Sequence, residues 1–126
     1  MAGTLSTYRT VTPYLVVPDA GAELTFLKAA FGATESMCQR NPDNTVMHAE
    51  VRIGDSLIML GQAGGQWKAL NAALYLWVEN VDEVYTQSLA AGATSQSAPE
   101  DKPYGHRNAG VVDRCGITWW IGSPVK

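Results

Sequence analysis

In TVMHAEVRIGD (45–55), His48, Glu50 and Arg52 alternate with Met47, Ala49, Val51 and Ile53. Successive side chains of a strand point to opposite faces. The polar three are therefore expected on one face and the apolar four against a helix. A histidine beside a carboxylate can pass a proton, because an ordinary imidazole changes charge near neutral pH. His48 and Glu50 are thus the candidate catalytic pair. The same pair could also ligate a divalent metal, but two ligands are too few for a tight site. A solvated face of mutually paired charges is the plainer reading of the row.

Other chemical signatures are missing. There is no Gly-rich phosphate loop, no G-x-S-x-G elbow and no HExxH. GQAGG (61–65) lacks the lysine and following helix of a phosphate loop, so it reads as a flexible connector. Cys38 and Cys115 form no CxxC and read as two small, semi-buried residues.

The elements that must position these residues come in two copies. LVVPDAGAELTFLKAAFGAT (15–34) and LWVENVDEVYTQSLAAGAT (76–94) share one plan. An apolar run reads as a strand, over 14–17 and 74–78. Asp19, or Glu79 with Asn80, stands where a helix begins and can accept from its free N–H groups. Leu24, Leu27 and Phe31 recur at helical spacing, as do Val81, Val84, Tyr85 and Leu89. Gly32 and Gly92 stand where the helices stop. The copies differ by one inserted residue, Phe31.

Each helix leads into three strand-like runs. The first set is ATESMCQR, TVMHAEVRIGD and SLIMLGQ, with turns at NPDN and GD. The second is ATSQS, RNAGVVDR and ITWWIGS. His48 and Asp55 are spaced like His106 and Asp113, which suggests that they correspond. Both halves read β-α-β-β-β: module one at about 10–61, a connector at 62–71, module two at about 72–125, together one domain over 1–126. The N-terminal MAGTLSTY is expected to carry no chemistry.

Composition narrows the function classes. About 46% of residues are hydrophobic and the net charge is −3, which suits a chain with a sizeable core. The nine Lys and Arg are scattered rather than striped, which argues against a nucleic-acid partner. No run approaches the roughly 18 apolar residues of a membrane span, and no signal peptide is evident. A soluble, cytoplasmic protein is expected.

TPYLVVPDA, FLKAAFGA, MHAEVRIGDSLIML, LYLWVENVDEVY, AAGAT, PEDKPYG and the tail of Asp113, Gly116 and Trp119 carry a resemblance. From Thr10 to Val125 the chain resembles the vicinal oxygen chelate superfamily, which includes glyoxalase I, extradiol dioxygenases and bleomycin-resistance proteins. More narrowly it looks like the PhnB-like branch. The resemblance implies an α+β fold of two tandem β-α-β-β-β modules, forming a half-open mixed sheet around a cleft, in a homodimer. Metal-dependent members of that superfamily place ligands on the first and fourth strands of each module. The matching positions are Thr12, Met59, Ala73 and Trp120. None is a His or a carboxylate, so no metal or other cofactor is expected there.

Strand alternation then extends the cleft lining. Thr12 brings Tyr14 and Val16, Met59 brings Leu57, Ala73 brings Tyr75 and Trp77, and Trp120 brings Thr118, while Trp119 and Ile121 go to the core. Trp67 is available from the connector. KPYGHRNAG (102–110) looks like the branch's YGDR loop with His106 in place of Asp, and Tyr104 and Arg107 could meet a ligand's polar group. The expected ligand-binding set is Tyr14, His48, Glu50, Arg52, Met59, Tyr75, Trp77, Tyr104, Arg107 and Trp120. Such an aromatic surface suits a flat or cationic organic molecule. The leading expectation is metal-free small-molecule binding. One competitor is a lyase or dioxygenase with a relocated divalent metal at His48, Glu50 and His106. The other is a catalytically silent dimer whose cleft is packed shut by Trp120 and Met59.

Overall fold

A computed structural model describes residues 8–125. The order is β1 (Tyr14–Val17), α1 (Ala20–Phe31), β2 (Thr34–Arg40), β3 (Val46–Ile53), β4 (Ser56–Gln62), β5 (Ala72–Trp77), α2 (Val81–Ala90), β6 (Thr94–Asp101), β7 (His106–Val112) and β8 (Ile117–Pro124). Both halves are β-α-β-β-β, as the repeated phrases predict. The strands form two four-stranded sheets, ordered β1-β4-β3-β2 and β5-β8-β7-β6. In each sheet the module's first strand runs parallel to its fourth, and the other neighbours are antiparallel. Among the described residues no helix is long and apolar enough to cross a membrane.

The helices begin and end for local reasons. Asp19 caps α1 by accepting from the Ala22 N–H, and Asn80 caps α2 by accepting from the Glu83 N–H. Gly32 closes α1 at φ 67°, a left-handed geometry that any Cβ would strain. In α2 the cap falls on Ala91, one residue before Gly92. The inner face of α2 is Val81, Val84, Tyr85 and Ser88. Leu89, expected on that face, is exposed instead, because the buried stripe runs from 81 through 84 and 85 to 88.

Each helix packs on its own sheet, and α1 also packs on α2. The helix pair therefore lies between the two sheets. Leu15, Val17, Leu24, Leu27, Ala49, Val51, Leu60, Val111, Ile117, Trp119 and Ile121 form the core on the helix-facing sides. Phe31 of module one meets Trp119 of module two edge-on, with ring centroids 5.0 Å apart. Asp113 closes the β7–β8 turn from inside: Oδ1 accepts from the Cys115 and Ile117 N–H groups, and Oδ2 accepts from Trp119 Nε1 at 2.9 Å.

Met47 does not face the helix as alternation predicts. Gln39 pairs with His48 while Arg40 pairs with Val46, so Met47 is the extra residue of a β-bulge. Val46 is buried in its place and Met47 is exposed.

Candidate functional site

The sheet faces turned away from the helices carry the polar and aromatic residues. On β1, Leu15 and Val17 are buried while Tyr14 is 55% exposed. Tyr14 stands beside Met59 in the β1–β4 register. Its ring lies over Gly61, where an added Cβ would come within 2.7 Å of the tyrosine oxygen. Glycine at 61 thus makes the ring's place.

A polar chain crosses this face. Tyr14 Oη is 3.3 Å from His48 Nδ1, and His48 Nε2 is 3.9 Å from Glu50 Oε2. Glu50 is only 4% exposed, and its Oε1 accepts from the Tyr8 hydroxyl at 3.0 Å. Desolvation, and then the bond to Glu50, push the Tyr8 hydroxyl above its ordinary pKa. The reading of MAGTLSTY as chemically silent falls mostly outside the described residues, which begin at Tyr8; Tyr8 itself adds a hydrogen bond to the candidate pair. Beside the chain is a cavity of about 790 Å³, lined by Tyr14, Val16, Met37, Gln39, Met47, His48, Gly61, Gln62 and Trp67. It is of a size that holds a small organic ligand.

Module two builds a more aromatic face. Tyr75 and Trp77 on β5 lie 4.6 Å apart by ring centroid. His106 stands perpendicular to Trp77 at 4.8 Å and to Tyr104 at 5.3 Å. Asn108 Nδ2 donates to the hydroxyls of Tyr104 at 2.9 Å and Tyr75 at 3.3 Å. Its Oδ1 is buried and has no hydrogen-bond partner. Trp120 covers Gly110, where an added Cβ would lie 2.7 Å from the indole.

The expected ligand-binding set is therefore divided. Tyr14, His48, Glu50 and Met59 gather on sheet one, and Arg52 continues their row opposite Leu57. Tyr75, Trp77, Tyr104 and Trp120 gather on sheet two. Arg107 joins neither face: its guanidinium pairs with Asp82 at 2.9 Å and Asp101 at 3.1 Å. In the single chain two carboxylates already pair with it. With the helix pair between the sheets, the two faces do not meet within one chain.

The correspondence of His48 with His106 is also corrected. His48 pairs with Gly61 and Asn108 with Gly122, so Asn108 is the counterpart of His48. Within one chain His106 lies among the module-two aromatics, apart from His48 and Glu50. The spacing misleads because Asp55 sits in a tight hairpin, whereas Asp113 opens a longer turn. Aligning Gly61 with Gly122 in sequence puts Ala109 opposite His48; only the register across the longer β7–β8 turn picks out Asn108. Nothing in the sequence announces Tyr8.

The superfamily's metal-ligand positions can be judged on this geometry. Met59 stands beside Tyr14, and Trp120 beside Tyr75. Thr12 and Ala73 precede those tyrosines by two residues. A thioether, a hydroxyl, a methyl group and an indole do not make a divalent-metal donor set. The residues present do not fit the ion.

A family model described as Glyoxalase/Bleomycin resistance protein/Dioxygenase superfamily matches residues 8–121. The Mycobacterium bovis protein Mb0911c is 33% identical, over 92% of this chain and 84% of the relative. The crystal structure of TioX from Micromonospora sp. ML1 superposes with a TM-score of 0.80 at 25% identity, covering 93% of this chain and 99% of that one. A glyoxalase/bleomycin resistance protein/dioxygenase from Nocardioides shares the fold, with a TM-score of 0.68 at 22% identity over 94% of this chain and 85% of its own. The fold, the matched span and the degree of identity agree: this chain belongs to the glyoxalase/bleomycin resistance protein/dioxygenase superfamily.

Proposed function

We propose that the protein binds an aromatic or cationic small organic molecule, without a metal in the cleft, and works as a homodimer. One observation carries the reading. The faces bearing Tyr14, Tyr75 and Trp77 are uncovered by either helix, and these rings are 55%, 39% and 55% exposed. Exposed aromatics set side by side, as Tyr75 and Trp77 are, mark a surface that something else covers. Pairing of two copies would set the His48–Glu50 face of one against the aromatic face of the other and enclose a ligand between them. The unpartnered Asn108 Oδ1 favours a ligand bearing an N–H or ammonium donor, since a buried acceptor without a partner is costly.

Titration of the protein's tryptophan fluorescence with a panel of aromatic cations, in the presence of a chelator, tests this reading. Saturable quenching is expected, weakened at least tenfold by Trp77→Ala. If no member of a broad panel gives saturable quenching, the binding reading fails and the silent-dimer reading gains.

A second reading rests on the Tyr14–His48–Glu50–Tyr8 chain. It is a metal-free arrangement able to take an acidic proton from a bound ligand, with His48 as the base and the Glu50 charge 3.9 Å away to favour its protonated form. Exchange of ligand protons with deuterated solvent, lost in His48→Ala, would support it. Ligand binding without any exchange would leave simple sequestration.

A further inference from the structure

Away from both open faces, three acidic side chains meet in the seam between the modules. Glu23 comes from the first turn of α1, and Asp113 and Cys115 from the β7–β8 turn. They are 1%, 4% and 8% exposed. A ligand-capable atom from each lies within 4.8 Å of the other two.

Their hydrogen bonding is unequal. An ionised carboxylate has about four lone-pair positions. Asp113 uses three of them on the Cys115 and Ile117 N–H groups and on Trp119 Nε1, and one remains. Cys115 Sγ lies 3.5 Å from the Asp19 carbonyl oxygen. Neither oxygen of Glu23 has any partner. A side chain buried this deeply and left unpaired needs a proton or a cation to answer it. An apolar side chain in its place would have joined the core at no such penalty.

The donor set suits a thiophilic ion. One sulfur and two carboxylates match zinc, which takes Cys and Asp or Glu in four-coordinate sites, whereas Mg²⁺ and Ca²⁺ take six or more oxygens. A small opening lined by Asp19, Ala22, Thr25 and Arg114 reaches Glu23 and Cys115 and can admit water as a fourth ligand. Three anionic ligands would leave one negative charge in excess of a divalent ion, and Arg114 stands at the rim to offset it.

We propose that Glu23, Asp113 and Cys115 bind a zinc ion that pins module one to module two. This site is separate from the cleft and stands or falls independently of ligand binding there. Chelator-stripped protein is titrated with Co²⁺, then with Zn²⁺, and its thermal midpoint is read with and without Zn²⁺. One equivalent of Co²⁺ should give a thiolate-to-cobalt charge-transfer band that Zn²⁺ bleaches, and Zn²⁺ should raise the midpoint by several degrees. Cys115→Ser should abolish the band, Cys38→Ser should keep it, and Glu23→Gln should weaken binding at least tenfold. Glu23→Gln is nearly isosteric and carries the test even if Cys115→Ser folds poorly. The site is refuted if the band is absent, if it follows Cys38, if Glu23→Gln binds as tightly as the parent, or if His48→Ala abolishes binding.

Discussion

His48 and Asn108 hold the same place in the two modules. Each lies on the third strand of its module, opposite a glycine of the fourth, Gly61 or Gly122. Each approaches a tyrosine of the first strand at 3.3 Å, Tyr14 or Tyr75. The duplication has thus kept a tyrosine lying over a glycine and changed its polar partner. One module presents an imidazole backed by a carboxylate, the other an amide ringed by aromatics. Two such unlike half-sites, brought together, would grip the two ends of a ligand differently.

The tyrosine over glycine is open to a direct test. Gly61→Ala would put a Cβ 2.7–2.8 Å from Tyr14 Oη and Cε1. Tyr14 is exposed enough to swing away, so stability should fall by less than about 1 kcal/mol. The Tyr14–His48 contact should be lost, and an aromatic ligand should bind roughly tenfold more weakly, the worth of one stacking contact. Urea unfolding and fluorescence titration read the two effects separately. Unchanged affinity would remove Tyr14 from the site.

Asn108 is the corresponding lever on module two. Asn108→Ala deletes the bonds to Tyr75 and Tyr104, and those hydroxyls can turn to water. A stability loss of roughly 1–2 kcal/mol is expected in urea unfolding. If Oδ1 accepts from the ligand, affinity should fall for molecules with an N–H or ammonium group and hold for analogues lacking it. Equal losses for both would show that Asn108 only orders the tyrosines.

Asp113 supports the fold more than the site. Asp113→Asn would turn an N–H₂ group, a donor, on the Trp119 Nε1–H or on the two turn amides. One buried donor or more would go unpaired, at about 3 kcal/mol including the lost charge-assisted bonds. The fall in the urea midpoint should come without a change in ligand affinity for the fraction still folded.

Much of this architecture was legible because its signals are local. Tyr14–Val17 and Ser56–Gln62 fall where their apolar runs predict, and Asp19 caps its helix as expected. Met47 was not legible, since its bulge depends on how β3 pairs with β2. The bond from Tyr8 to Glu50 joins residues 42 apart with no pattern linking them. Glu23 reads as an ordinary acidic residue in a helix's first turn. Only the docking of module two over that turn buries it.

That burial has a pH signature in metal-free protein. Desolvation, and then the neighbouring Asp113, push the Glu23 carboxyl up to about 9, from 4.5 when free. Between those values the folded chain holds a proton that the unfolded chain has released. Stability must therefore fall as pH rises through the window, and the loss levels off above the folded value. Glu23→Gln holds no titratable proton, so its stability should vary less. Between pH 5.5 and 8.5, with chelator present, the parent should lose on the order of 4 kcal/mol relative to the variant. Parallel pH profiles would mean that Glu23 is not held protonated.

The exposed rings on β5 decide whether the chain acts alone. Tyr75 and Trp77 stand on an edge strand, and both line the groove between the modules together with Arg9, Val11 and Asp55. A lone chain gains nothing from two large aromatic side chains held in water. In the proposed dimer a second copy would cover this face and set its own His48–Glu50 row opposite. If the chain pairs as proposed, the parent should sediment as a dimer and Trp77→Glu as a monomer at the same concentration, with unchanged circular dichroism. It should lose ligand affinity together with dimerisation, since the two half-sites would separate. Retention of the dimer with loss of affinity would confine Trp77 to ligand contact. Retention of both would overturn its place in the cleft.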